Sequence, residues 1–133
     1  EENHIQVIFT KREPTYAYAD DFYIEQVMTN YFTNAIKHAK EVNGEKQIKI
    51  TIQNVNDKIR VTVFNTGDKI PEEDLTRIWG RFYKVDDSRN RENSGSGIGL
   101  SIVKAIQNNY QNEYGVQNLS NGVEFYFDIS TKK

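Results

Sequence analysis

Residues 47–70 read QIKITIQNVNDKIRVTVFNTGDKI, and the fold is decided there. Apolar and polar residues alternate on both sides of Asn56-Asp57, a period of two that predicts two strands joined by a tight turn. The second run, from Ile59 to Phe64, stops abruptly in Asn65-Thr66-Gly67-Asp68. A strand that ends in this way delivers a polar side chain to a pocket and then turns away.

Upstream, HIQVIFT (residues 4–10) places Ile5, Val7 and Phe9 at a period of two, as in a half-buried strand. YAYA (residues 16–19) reads as a short second strand. Asp20-Asp21 then stands where a helix N-cap belongs. Ile24, Val27, Met28, Tyr31, Phe32, Ala35, Ile36 and Ala39 follow at helical spacing, one wide apolar stripe that Asn43-Gly44 is expected to end. Downstream, Pro71-Glu72-Glu73-Asp74 resembles the first turn of a helix, with proline early and acids at the positive end of the dipole. Residues 79–83 are aromatic and basic, and residues 84–96 are polar, charged and glycine-containing, as in a mobile loop. A helix is expected over residues 97–109, followed by strands YGVQNL and GVEFYFDIS joined at Ser120-Asn121-Gly122. The order β-β-α-β-β-α-loop-α-β-β predicts an α+β fold, a two-layer sandwich with helices on one face of a mixed sheet.

A chain of 133 residues suits one domain over residues 1–133. Its apolar fraction of 37% and mean hydropathy of −0.74 fit a modest core under a well-solvated exterior. Lys and Arg number 17 against 19 Asp and Glu, and the net charge of −2 argues against a general nucleic-acid binder. No apolar run approaches a membrane span and no signal peptide is visible. Without cysteine there is no thiolate chemistry or disulfide framework, and His4 and His38 lie too far apart for a His-based metal cluster. The chain begins without Met inside a strand-like segment, so we expect it to be part of a longer protein.

If the stripe of the first helix faces the sheet, Asn30, Thr33, Asn34 and Lys37 lie roughly opposite it. Asn30 and Asn34 are four apart and Lys37 three further on, which aligns them along one edge. An amide oxygen beside a lysine suits a magnesium-bound phosphate, and a solvated helix face is the plain alternative. In NSGSGIGL, Gly95, Gly97 and Gly99 precede a helix, so backbone N–H groups and the helix N-terminus could meet an anion. The pattern is not the phosphate loop G-x-x-x-x-G-K-[ST], and the segment before it is a polar loop where a dinucleotide fingerprint has a strand. A glycine hinge is the other reading.

Together these segments resemble a known family. NYFTNAIKHA is similar to the N box of bacterial sensor histidine kinases, NTGDKIP to their first glycine box, IWGRFYKVD to their F box and GSGIGL to their second glycine box. Order and spacing agree, and residues 84–96 match the family's ATP lid. The resemblance implies the catalytic, ATP-binding domain, a Bergerat-type α/β sandwich shared with Hsp90, DNA gyrase and mismatch-repair ATPases. It implies ATP and Mg2+ as cofactors, with Asn34 on the metal and Lys37 on phosphate. It further implies that Asn30 assists at the phosphates and that Arg81, Lys84, Arg89 and Arg91 are candidates to hold the γ-phosphate, a solvated lid charge being the plain alternative for any single one of them. His38, Asn65 and Gly67 fall on the adenine side, Ile70 is a further nucleotide-binding position, and Phe82 with Tyr83, itself counted among the nucleotide-binding residues, anchors the lid. Gly95, Ser96, Gly97, Ile98, Gly99 and Leu100 form the phosphate-side hinge. The implied protein is a membrane sensor with this domain on its cytoplasmic side. The implied partners are a histidine-bearing dimerisation domain and, indirectly, a response regulator; the isolated domain is expected to be monomeric.

Departures from the family pattern sharpen the chemistry. Related ATPases carry a glutamate where Asn30 stands, and an amide cannot act as general base. Slow hydrolysis and phosphoryl transfer to a protein are therefore expected, and neither His4 nor His38 matches the family's phosphoacceptor box. Asn65 replaces the Asp that recognises the adenine amino group and Lys69 replaces a glycine. Asn65 can still accept a hydrogen bond but without charge assistance, so weaker and less selective adenine binding is expected. Either the backbone at Lys69 avoids φ > 0 or the residue is strained. A serine kinase of the anti-sigma-factor type and a nucleotide-binding module without transfer are the alternatives.

Overall fold

Residues 48–55 pair antiparallel with residues 58–65, as their alternation requires. The computed structural model describes residues 5–11, 21–80 and 99–130. In chain order its elements are β1 (Gln6–Lys11), α1 (Asp21–His38), β2 (Gln47–Val55) and β3 (Lys58–Thr66). Two single-turn 3-10 helices follow, Glu72–Asp74 and Arg77–Trp79, and then α2 (Gly99–Asn109), β4 (Tyr114–Leu119) and β5 (Gly122–Ser130). The strand segments 47–55, 114–119 and 122–130 coincide with the expected ones, and Asn56 opens the first hairpin turn at φ 57. The expected strand at residues 16–19, the N-cap at Asp20 and the loop at 84–96 lie outside the described residues.

The sheet has the order β1-β2-β3-β5-β4. β1 runs parallel to β2, a pairing that needs a crossover, and α1 supplies it. The remaining ladders are antiparallel. Val27, Tyr31 and Ala35, a ridge of i+4 steps on α1 that Ala39 continues just past its end, are buried against Ile48, Ile50, Val61, Val63, Phe125 and Phe127 of the sheet. Val103 of α2 joins the same cluster, giving the expected two layers. Ile36 departs from the expected stripe. It stands next to Ala35, about 100° round the helix, and is 47% exposed.

Tyr31 is the centre of the packing. Its ring lies 5.3 Å from Phe125, 5.7 Å from Phe127 and 6.5 Å from Trp79. Trp79 in turn meets Tyr114 edge-on at 4.8 Å. Such ring pairs add about 0.5–1.5 kcal/mol each beyond their area. The buried Tyr31 hydroxyl donates to the Tyr126 carbonyl at 2.9 Å, and burial raises its pKa well above the ordinary tyrosine value. On the opposite face of the sheet Arg60 makes a two-point ion pair with Asp128, at 2.7 and 3.0 Å, and lies 4.4 Å over the Tyr126 ring.

Two expectations are corrected. The helix after Pro71 is instead two 3-10 turns, closed by Asp74 N–H to Pro71 O, Leu75 N–H to Glu72 O and Gly80 N–H to Arg77 O. So short a segment cannot sustain an α-helix alone, and three-residue turns put Leu75 and Ile78 on one side, facing the core. The end of α1 also falls before Asn43-Gly44. Ala39 N–H still bonds the Ala35 carbonyl at 2.8 Å, but Lys40 N–H donates to Thr66 O of β3 at 2.8 Å, so the sheet captures the next donor. Asn43 (φ 53) and Gly44 (φ 83) instead form the two-residue turn of a small Val42↔Glu45 bridge.

α2 ends with Gln111 at φ 58, where Asn112 N–H bonds Gln107 O at 2.9 Å and Gln111 N–H bonds Asn108 O at 3.1 Å. Glycine is favoured at this position because it has no Cβ to oppose the left-handed conformation. Gln111→Gly is therefore expected to raise the stability of the folded chain by about 0.5–1 kcal/mol in urea denaturation. A loss of stability would show that the Gln111 side chain carries a contact of greater worth.

Candidate functional site

On the helix-facing side of β3, Ile59, Val61 and Val63 are buried apolar residues, and the next position in that row is Asn65. Asn65 is 2% exposed and faces Ile48 across one ladder and Val123 across the other. A polar group so placed must be hydrogen-bonded. Its Nδ2 donates to the Thr66 carbonyl at 3.0 Å. With the amide reversed, Oδ1 would meet that carbonyl, acceptor against acceptor, so the orientation is chemically forced. Asn65 thus presents Oδ1, an acceptor, to the cleft that it lines.

The chain leaves the strand through Gly67, at φ 149. A Cβ there would come within 2.8 Å of the His38 carbonyl and 3.4 Å of Asn65 Nδ2, so the clearance expected of Gly67 is needed by the end of α1. The Gly67 N–H donates to Asn121 O at 3.1 Å. Ile70 is then gripped at both backbone polar atoms: its N–H donates to Asn118 Oδ1 and its carbonyl accepts from Asn118 Nδ2, both at 2.8 Å. Lys69 is absent from the described non-glycine residues with positive φ, which are Asn43, Asn56 and Gln111. Of the two possibilities open at Lys69, the backbone takes the unstrained one.

The cleft has a volume of about 400 Å³, within the usual range for small-ligand sites. Asn34, Lys37 and His38 from α1 line it with Asn65, Ile70 and Leu100, so six of the expected residues meet there. Sequence reasoning did not identify Lys40, Asp68, Pro71, Ile78, Val123 or Phe125, which line it too. Val123 and Phe125 lie in a segment read only as a strand, and the β3–β5 pairing brings them beneath the site. Lys40 and Asp68 form an exposed ion pair at the rim, a contact that contributes little to stability.

Asn30 is separate from the cleft lining and lies against Gly99 at the start of α2, where its Oδ1 would be 3.4 Å from a Cβ on that glycine. Nδ2 of Asn30 is buried and makes no hydrogen bond among the described residues. Arg81, Phe82, Tyr83, Lys84, Arg89, Arg91, Gly95, Ser96, Gly97 and Ile98 lie outside the described residues.

This arrangement separates two chemistries. Ile70, Ile78, Val123 and Phe125 surround the Asn65 acceptor with apolar surface, which suits a flat, amino-bearing ring. Asn34 and Lys37 offer an amide oxygen and a cation, which suit a phosphate and its counter-ion. The residues present therefore fit a nucleotide with a bound hard cation.

The family model described as histidine kinase-, DNA gyrase B-, and HSP90-like ATPase matches residues 19–133. Sensor histidine kinase YkoH of Bacillus subtilis (strain 168) is 35% identical over 108 residues, 81% of this chain and 23% of that protein. Sensor histidine kinase CusS of Escherichia coli (strain K12) is 36% identical over 110 residues, 83% of this chain and 22% of that protein. The chain thus spans less than a quarter of the length of these relatives. Among solved structures, the nucleotide-free catalytic domain of histidine kinase ThkA superposes with a TM-score of 0.82 at 33% identity, covering 99% of this chain and 84% of that one. A complex of ThkA with the response regulator TrrA matches with a TM-score of 0.73 at 29% identity, covering 98% of this chain and 35% of that one.

The close approach at the start of β5 gives a structural test of the cleft. A Cβ on Gly122 would come 2.0 Å from the Asn65 carbonyl oxygen and 2.9 Å from Thr66 Cα, both backbone atoms that cannot yield cheaply. Gly122→Ala is expected to cost about 2–3 kcal/mol in urea denaturation, the scale of overpacking a tight site. Gly99→Ala, whose Cβ would make only ordinary contact with Asn30, is expected to change stability by less than about 0.5 kcal/mol. Equal costs at the two positions would contradict this account.

Proposed function

We propose, from the premise that this chain belongs to the family of histidine kinase-, DNA gyrase B-, and HSP90-like ATPases, that it binds Mg-ATP in the α1–β3 cleft. Its γ-phosphoryl group is donated to a histidine on a separate dimerisation domain. The observation that carries this reading is the buried Asn65 acceptor, held by Thr66 over an apolar floor and facing Asn34 and Lys37 across one cleft.

Each side chain then has a task. Oδ1 of Asn65 accepts from the exocyclic amino group of adenine, and Ile70, Val123 and Phe125 exclude water from the base. His38, at the end of α1, lines the same cleft and offers a ring face to the base. Lys37 pairs with phosphate oxygens, and Asn34 supplies one protein oxygen to magnesium. Bound magnesium supplies charge neutralisation at the transferring phosphoryl group. The first turn of α2, with Gly99 and Leu100, lies on the phosphate side, where backbone N–H groups stabilise an anion. Asn30 is an amide and cannot deprotonate water, which favours transfer to a protein acceptor over rapid hydrolysis. Arg81, Tyr83, Lys84, Gly95, Ser96, Gly97 and Ile98 keep the roles that the family pattern implies for them.

The acceptor is external in this reading because neither His4 nor His38 stands in a sequence like the family's phosphoacceptor box. The relatives are sensor histidine kinases, and ThkA is seen with a response regulator. By that likeness this domain serves the cytoplasmic side of a membrane sensor that passes phosphate to a response regulator. Among the described residues no helix is long and apolar enough to cross a membrane.

Titration with ATP, with and without magnesium, tests binding. Incubation with a purified dimerisation domain and analysis for acid-labile phosphate tests transfer. Absence of saturable binding at millimolar ATP would refute the proposal, and binding without phosphohistidine would favour a nucleotide-binding module. Asn34→Ala is expected to slow magnesium-dependent transfer about a hundredfold, the order lost on removing one electrostatic stabiliser, while adenosine affinity is retained. Asn65→Asp is expected to raise ATP affinity severalfold through a charged acceptor. The same change lowers stability by about 1–2 kcal/mol, because the donor to Thr66 O is lost. Unchanged or weaker ATP binding by folded Asn65→Asp would show that charge assistance does not limit this site.

A further inference from the structure

We propose that Asn118 is a positioning residue for the base end of the cleft, setting both the affinity for adenine and its discrimination from a 6-oxo purine. The inference rests on the nucleotide reading given above and concerns a residue two strands away from the one that touches the base. Val123 faces Asn65 on one side and Asn118 on the other, so the three occupy a single row across β3, β5 and β4. The loop that leaves β3 after Thr66 leads to Ile70, whose backbone N–H and carbonyl both bond the Asn118 side chain.

The hold is specific in its chemistry. An asparagine amide offers one acceptor and one donor in a fixed plane, matching the N–H and carbonyl of a single backbone residue. Both bonds from Asn118 to Ile70 are 2.8 Å. The other tie, Gly67 N–H to Asn121 O at 3.1 Å, also comes from the β4–β5 hairpin. Only Asp68 and Lys69 stand between these two ties. The hairpin therefore determines where Ile70, buried at the cleft wall, faces the base relative to Asn65. Discrimination by one acceptor requires that the opposing wall hold the ring in register with it, and an untethered loop would let a ring shift past Oδ1.

The test uses the whole chain and two substitutions. Asn118→Ala removes both bonds. Asn118→Asp keeps an acceptor for the Ile70 N–H but sets a carboxylate oxygen against the Ile70 carbonyl. Amide hydrogen exchange at Ile70 reports the tether without any nucleotide, and ATP, GTP and inorganic triphosphate report the site. Asn118→Ala is expected to accelerate exchange at Ile70 and to weaken ATP about tenfold, the worth of one to two neutral hydrogen bonds. The ATP-to-GTP preference should fall with it while triphosphate binding is unchanged. Asn118→Asp is expected to restore part of the Ile70 protection and to bind ATP with intermediate affinity. Folded Asn118→Ala with wild-type ATP affinity and preference would overturn the proposal, as would an equal loss for ATP and triphosphate. Wild-type chain that binds no ATP overturns the nucleotide reading and this role with it. Wild-type binding with an indifferent Asn118→Ala overturns this role alone.

Discussion

Thr66 joins three parts of the molecule at one point. Its carbonyl oxygen accepts the Lys40 N–H, which stops α1, and Nδ2 of Asn65, which orients the amide facing the cleft. Its hydroxyl accepts the Gln47 N–H at the start of β2. A carbonyl oxygen has two lone pairs, and both are used, so neither the helix end nor the amide can be moved without leaving a donor unsatisfied. The packing of α1 on the sheet and the chemistry of the cleft therefore depend on the same few atoms. Gly67 completes the junction, because any side chain there would meet the carbonyl of His38.

The rest of the core holds that junction in place. Tyr31 spans the gap between the helix layer and β5, with its ring among Phe125, Phe127 and Trp79 and its hydroxyl on the Tyr126 carbonyl. The two 3-10 turns carry Ile78 and Trp79 into the same cluster, which brings Ile78 to the cleft floor. Gln107 of α2 reaches the carbonyls of Glu113 and Asp128, at 3.1 and 2.9 Å, and so ties the second helix to β5. The cleft opens where the apolar packing between the layers gives way, and its polar groups come from the ends of elements whose middles are fixed. That is the preorganisation a binding site requires.

Much of this was legible in local pattern. Alternation around Asn56-Asp57 located the first hairpin, since a half-buried strand has a period of two, and the turn residues Ser120-Asn121-Gly122 located the second. The i+4 ridge of Val27, Tyr31, Ala35 and Ala39 marked the buried side, and the motif resemblance rather than the ridge singled out Asn34, Lys37 and His38, which line the cleft. Where expectation failed, a long-range partner had intervened. Asn43-Gly44 is a sound turn signal, but α1 stops earlier because β3 offers Lys40 an acceptor. The acids after Pro71 suit a helix N-terminus, yet the segment is too short to propagate one and settles into 3-10 turns that serve the core.

The sequence by itself determined the strands of both hairpins, the buried ridge of the first helix and the arrest of β3 at a polar residue, because each follows from contacts among near neighbours. It also carried the order of motifs by which the family is known. Only the tertiary structure decided that the Asn65 amide is an acceptor toward the cleft, that Lys69 sits without strain and that Val123 and Phe125 form the floor. The grip of Asn118 on Ile70 was likewise invisible, since 48 residues separate the two and β5 is interposed between β4 and the strand that Ile70 follows. Hydrogen-bond direction and cleft shape depend on which distant atoms are brought within about 3 Å, and no local periodicity encodes that.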